Sequence, residues 1–169
     1  MKPIRILSVV FILFGLFGFR SEKYSLMVKR EIPSDFYFVI NDGRIDSYNS
    51  QLNSFSRKYL EEERVLKIAL TEKEKEKIYS LIQKSNFLKM PMKFEPIGEI
   101  KIKDPSFTRV IVANVNGERK MVSYNDGWTN ALNDKKAKSF LDLYTEIWNV
   151  LYEKQELREM KNRIFILNN

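Results

Sequence analysis

Residues 107–124 read FTRVIVANVNGERKMVSY, two runs of strand-forming residues that meet at Asn116-Gly117. Asn-Gly between alternating segments is the strongest short-range hairpin signal, because a type I′ turn needs a positive φ at both central positions. With those two residues as the loop, Val115 falls opposite Glu118, Ala113 opposite Lys120, Ile111 opposite Val122 and Arg109 opposite Tyr124. One face then holds Ile111, Ala113, Val122 and Tyr124. The other holds Val110, Val112 and Met121, with Asn114 and Arg119 near the tip. Both faces are apolar at the base, so the base is expected sandwiched at the centre of a sheet and the tip, residues 114–119, in water.

Upstream, Asp35-Phe36-Tyr37-Phe38-Val39-Ile40 is dense in aromatic and β-branched residues and runs into Asn41-Asp42-Gly43. A first hairpin is expected there, turning at Asp42-Gly43 and returning through residues 44–48. Residues 49–56 are polar and read as a loop, and residues 57–64 are densely charged. Residues 65–70 read as a third strand, with Leu66, Ile68 and Leu70 on one face and Lys67 on the other. Thr71 and Glu74 then form a capping box, each side chain satisfying a backbone N–H that the first helical turn leaves unpaired, so a helix starts at Glu72.

That helix turns Ile78, Leu81 and Ile82 inward, while the sign-alternating run Glu72-Lys73-Glu74-Lys75-Glu76-Lys77 reads as a solvated face. It ends near Ser85-Asn86, after which Phe87, Leu88 and Met90 tuck under the sheet and Pro91 turns the chain away. Prolines and Gly98 interrupt residues 92–105, with a brief strand expected at Ile100 and Ile102. Beyond the opening hairpin, residues 125–133 form a loop and Asn133 or Asp134 caps a second helix. Ala137, Phe140, Leu141, Tyr144, Ile147, Trp148 and Leu151 hold helical spacing, and the pattern extends toward Met160 with solvated last turns. IFIL within residues 163–167 reads as a terminal strand or apolar tail.

The sum is an α+β fold: a mainly antiparallel sheet of about five strands, ββ-β-α-ββ-α, with both helices on one face. At 169 residues the chain suits one domain, placed at residues 34–160, after a linker at 21–33 and before a tail at 161–169.

Residues 1–20 read as a signal peptide or N-terminal anchor. Lys2 and Arg5 precede an uncharged run over residues 6–19, ILSVVFILFGLFGF, shorter than the roughly 20 residues of a comfortable membrane span. Gly18 suits the last signal position, whereas Leu16 is large for the position two before it, which keeps an uncleaved anchor open. The expectation is an exported protein, periplasmic or extracellular, touching a membrane only through that segment if it is retained.

Composition removes several chemistries. With no His and no Cys, no imidazole or thiolate metal site, disulfide, or His- or Cys-based dyad can exist. The six glycines form no phosphate loop. Of the positives behind the net charge of +7, Lys2, Arg5 and Arg20 fall in a segment without an acid and the others alternate with acids, so no nucleic-acid partner is expected. Asp42, Asp46, Asp104, Asp126 and Asp134 fall in or near turns, where Asp bonds neighbouring backbone N–H groups. No catalytic residue, metal ligand or cofactor site is assigned, and the reading leans away from an enzyme.

One loop stands out. Asn125-Asp126-Gly127-Trp128-Thr129-Asn130 lacks the spacing of a calcium-binding EF-hand, but Trp128 is suited to stack on a sugar or anchor a partner. The candidate binding surface is therefore Asp126, Trp128, Asn130 and Tyr124. The core reading of the same residues folds Trp128 onto the sheet edge, and Trp148 belongs to the core.

Asn41-Asp42-Gly43 with Tyr48 after it, Thr71 and Glu74 opening a helix that runs to Phe87 and Pro91, and Asn116-Gly117 before an apolar-ended helix together resemble small exported bacterial proteins and lipoproteins of unknown function. Phe19 stands where the lipoprotein pattern has its lipidated Cys. The resemblance implies an envelope module and supplies no catalytic residues. Three functions are expected in order: a non-enzymatic exported domain that binds a protein or envelope component, a carboxylate-dependent hydrolase or glycan-binding accessory protein using Trp128, and an inhibitor or immunity-type protein.

Overall fold

In the computed structural model the described residues are 31–43, 45–59, 62–94, 108–125 and 135–160. The chain divides into two compact units, Met1–Glu31 and Ile32–Asn169, and the elements below belong to the second. Seven strands are described: β1 Tyr37–Asp42, β2 Asp46–Asn49, β3 Ser54–Lys58, β4 Glu63–Lys67, β5 Lys93–Phe94, β6 Thr108–Val115 and β7 Glu118–Asn125. Three helices accompany them, α1 Glu72–Lys84, α2 Lys138–Tyr152 and the single turn α3 Gln155–Arg158. The sheet runs β4-β3-β2-β1-β6-β7-β5. Every neighbouring pair is antiparallel except β5 with β7. The class is α+β as expected, but the sheet is mixed and larger than five strands.

The β6–β7 hairpin has the expected register throughout, from Val115 opposite Glu118 to Arg109 opposite Tyr124. Asn116 and Gly117 take φ of 51° and 78°, the left-handed values that a type I′ loop requires. Two details differ. Val115 is only 2% exposed although it lies within the tip, because it shares the strand face of Ile111 and Ala113. The outer face of the base is only partly open: Met121 is 53% exposed and Val110 partly buried, whereas Val112 is buried at 8%.

Strand β3 lies where a loop and a charged run were expected. Ser54-Phe55-Ser56-Arg57-Lys58 offers one apolar residue, too little for a strand signal, yet Phe55 and Arg57 both point into the protein. β4 spans Glu63–Lys67 instead of 65–70, and Ile68 and Leu70 are buried in the passage to α1. The first hairpin turns at Gly43 (φ 58°), with Asp42 opposite Asp46.

Helix α1 begins at Glu72 with the capping box formed. Glu74 N donates to Thr71 Oγ1 at 3.3 Å and Thr71 N donates to a Glu74 carboxylate oxygen at 2.7 Å. Phe87 and Met90 are buried beyond its end, as expected. α2 buries the helically spaced set Phe140, Leu141, Tyr144, Ile147, Trp148 and Leu151. The helical path breaks at Glu153-Lys154, and α3 turns Leu157 back into the core while Gln155, Glu156 and Arg158 stay exposed, so the last turns are solvated on one side only. The cap expected at Asn133 or Asp134 is not what opens α2: the helix begins at Lys138, and its N-cap position is Ala137, which has no side-chain oxygen to bond the first turn. Residues 1–30, the Ile100–Ile102 segment, the 126–134 loop and residues 161–169 lie outside the described residues.

Both long helices cover the same face of the sheet. Phe36 meets Tyr79 of α1 with centroids 5.1 Å apart, Phe55 meets Trp148 of α2 at 6.4 Å, and Phe94 meets Phe140 at 5.9 Å. Phe38, Ile40, Tyr48, Ile111, Val122 and Tyr124 complete that layer at full burial. Each such side chain contributes about 1.5–3 kcal/mol, so this face holds the fold and frees the other from that duty. Among the described residues, no helix is long and apolar enough to cross a membrane.

Candidate binding surface

Side chains alternate across a strand, so the residues between those core positions line the opposite face. Register assembles them into rows. Val65, Ser56, Ser47, Asn41, Val110 and Ser123 stand side by side across six strands. A second row runs Lys67, Ser54, Asn49, Val39, Val112 and Met121. Most of these side chains are short, and the two serine hydroxyls of Ser47 and Ser56 are bonded to each other at 2.8 Å. The surface is therefore low and even. Val65 is 58% exposed on β4 and Met121 53% exposed on β7, placing an apolar contact near each side of it.

Among the described residues, the buried charges lie on the helix side. Asp46 is 1% exposed and Arg57 5% exposed. Arg57 Nε donates to Asp46 Oδ1 at 2.8 Å and Nη2 donates to Oδ2 at 2.9 Å, a two-pronged pair that fixes both planes. Tyr152 Oη donates to the same Oδ2 at 2.8 Å. The guanidinium also lies 5.5 Å from the Phe55 ring, and Tyr152 stacks on Trp148 at 5.2 Å. The bonds to Asp46, and to a smaller degree its charge, raise the Arg57 pKa further, against the desolvation that lowers it. Both oxygens of Asp46 are thus occupied in tying α2 to β2 and β3. The arrangement is an anchor, not a general acid or base poised for a substrate.

A second carboxylate locks the hairpin. Asp35 accepts from the backbone N–H of Asn116 at 3.1 Å and from that of Gly117, and Asn114 Nδ2 donates to it at 2.9 Å. The Gly117 bond first, then those from Asn116 and Asn114, hold its carboxyl below the usual aspartate range against the opposing effect of desolvation. Successive backbone N–H groups in a tight turn make an anion-binding concavity, and here the chain fills it with its own side chain.

A cleft of about 260 Å³ lies between the start of β1 and the start of α1, lined by Ile32, Pro33, Phe36, Phe38, Ser50, Glu72 and Lys75 among others. Ligand pockets for small molecules begin near ~300 Å³, so the cleft is undersized for one. Among the described residues, no three acidic side chains converge as a metal site requires.

Of the residues singled out from sequence, Tyr124 is fully buried and presents no ring to a partner. Its placement follows from register: it shares the face of Ile111 and Val122. Asp126, Trp128 and Asn130 lie outside the described residues. The open face has little signal in the sequence because its members are ordinary residues on separate strands, although the Ser-Phe-Ser-Arg alternation of residues 54–57 is its trace. Comparison with family models and with curated proteins returns no match to this chain.

Proposed function

We propose that this chain is an exported, non-enzymatic domain that binds a protein or envelope component, and that it does so through the open face of its sheet. The observation that carries the reading is the pair of rows running through Ser56, Ser47, Asn41 and Val110, and through Asn49, Val39, Val112 and Met121. An even surface of small side chains admits the close approach of another broad surface, whereas a small molecule needs a concavity that buries most of it. The exposed Met121 gives that surface an adaptable apolar contact. The engaged state of Asp46 supports a binding domain over a carboxylate-dependent hydrolase built on that acid.

Export rests on Lys2, Arg5 and the uncharged residues 6–19. The compartment is periplasmic or extracellular, with membrane attachment only through a retained N-terminal segment.

The test uses the full chain in its own cell envelope. A photo-crosslinking residue at Val110 or Ser47 should capture one discrete partner, and the same residue at Glu146, exposed on α2, should not. Met121→Glu should reduce the capture. Equal adducts from both sides, or none from the open face, would overturn the binding reading. A cytosolic protein with Met1 still in its intact mass would overturn export.

A further inference from the structure

Strand β4 closes one side of the sheet. It pairs with β3 alone among the described strands, and its residues are exposed apart from Leu66, which is partly buried. The hydrogen bonds at the two ends of the β3–β4 hairpin fix which backbone groups face outward. Tyr59 N donates to Glu62 O at 2.8 Å, and Ile68 N donates to Asn53 O at 2.8 Å. In an antiparallel ladder bonded pairs recur at every second residue, so Arg64 and Leu66 turn their N–H and C=O toward β3. Glu63, Val65 and Lys67 therefore turn theirs away from the sheet.

An edge with outward N–H and C=O groups is a template for another strand. Natural edges are blunted by proline, bulges or charges that repel a second copy, but β4 contains no proline and no like-charged row. Its outward-bonding residues read Glu63, Val65, Lys67, acid and base placed symmetrically about an exposed valine. Antiparallel pairing of two such strands around a two-fold axis at Val65 sets Glu63 of each copy opposite Lys67 of the other, and valine opposite valine. Opposite charges directly across an antiparallel pair stabilise it, and like charges destabilise it. A parallel pairing brings like charges together. A one-residue slip moves every side chain to the other face.

We infer that β4 is a homotypic edge, through which two copies of this chain join their sheets into one by antiparallel β4–β4 pairing centred on Val65. The occupant is a second copy because the charge pattern is complementary to itself. Val65 and Ser56 begin the first row of the open face, so that row continues across the two-fold axis from one copy into the other. The inference goes beyond the binding role proposed above and stands without it. A five-residue edge buries less than the area of a standard stable interface, so the dimer is concentration-dependent.

The experiment is sedimentation velocity of the full chain over a concentration series, in a non-ionic detergent so that residues 6–19 do not themselves drive association. Wild type should shift toward dimer as concentration rises. Glu63→Lys should weaken self-association about tenfold or more, and Glu63→Lys with Lys67→Glu should restore it. Val65→Pro should weaken it comparably while leaving the thermal melt intact, because the N–H it removes points away from β3. The chain contains no Cys, which permits a direct check of register. Val65→Cys should cross-link to itself through a short bifunctional thiol reagent. Glu63→Cys should not, since the two copies' residues then stand about 14 Å apart, four residues along and one strand across. A monomer at every concentration, a dimer indifferent to the charge reversal, or equal cross-linking at both positions would overturn the inference.

Discussion

The Asp46 carboxylate and the Arg57 guanidinium lie edge to edge in the core, joined by two hydrogen bonds of 2.8 and 2.9 Å. Removing one partner strands the other charge out of water, which costs about 3–5 kcal/mol, whereas replacing both with apolar residues of similar volume is often neutral. Arg57→Met should therefore lose about 3–5 kcal/mol in urea denaturation. Asp46→Leu combined with Arg57→Met should recover most of that loss, since Tyr152 is 36% exposed and can turn its hydroxyl to water. A loss below about 1 kcal/mol for Arg57→Met would mean that the pair is hydrated in solution.

The Asp35 lock makes the hairpin sensitive to acid. Its carboxyl is held below the ordinary range, chiefly by the Gly117 N–H. A group with a lowered folded-state pKa contributes its full stability above its unfolded value, and that contribution is lost as pH falls through the folded one. Protection of the Asn116 and Gly117 amides, taken as the exchange rate relative to that of an unstructured peptide at the same pH, should thus be high near neutrality and fall below the normal aspartate range. Asp35→Asn should show low protection at both pH values and a flatter pH profile. An unchanged profile in that variant would detach the lock from Asp35.

How much of this was legible in the sequence follows the range of each interaction. The β6–β7 register is set by two adjacent residues, the α1 start by a pair three apart, and α2 by spacing within one segment, so all three could be read locally. β3 could not, because the inward turn of Arg57 rests on its pair with Asp46, eleven residues earlier. The number and pairing of the strands depend on similar long-range choices, and the Asp35 bond to Gly117 spans 82 residues. The sequence suits Tyr124 both to the hairpin base and to a binding surface; the strand face it shares with Ile111 decides for the base. The open face has no local signature, because it exists only once β3, β2, β1 and β6 are side by side.

Glu74 joins two parts of the structure that helix capping alone would leave separate. One of its carboxylate oxygens, Oε2, accepts from Thr71 N, from Thr71 Oγ1 and from Lys154 Nζ at 2.7 Å. Burial by itself would raise this carboxyl, but the bonds from Lys154 and Thr71 outweigh it and hold the pKa low. Thr71→Ala should cost about 1 kcal/mol and Thr71→Ser nearly nothing. A double-mutant cycle over Glu74→Gln and Lys154→Met should give a coupling of about 0.5–1 kcal/mol that shrinks in high salt. Zero coupling at low salt would place the Lys154 ammonium in solvent.

Tyr48 predicts the alkaline limit. Its ring is fully buried, and its hydroxyl donates to Ile68 O at 2.9 Å, at the passage from β4 to α1. Burial, reinforced by the nearby Glu74 charge, pushes its pKa up to about 12. A raised folded-state value contributes stability that is whole below the unfolded value of about 10 and is lost as pH rises through the folded one. Wild type should therefore lose stability between about pH 10 and 12, with the Tyr48 phenolate absorbance appearing at the top of that window or together with unfolding. Tyr48→Phe should leave the Ile68 carbonyl buried without this donor, costing about 1–3 kcal/mol at neutral pH. The same substitution should flatten the alkaline loss. If Tyr48→Phe keeps the wild-type slope there, the alkaline transition belongs to another group, with Tyr144, whose pKa burial also raises, the next to replace.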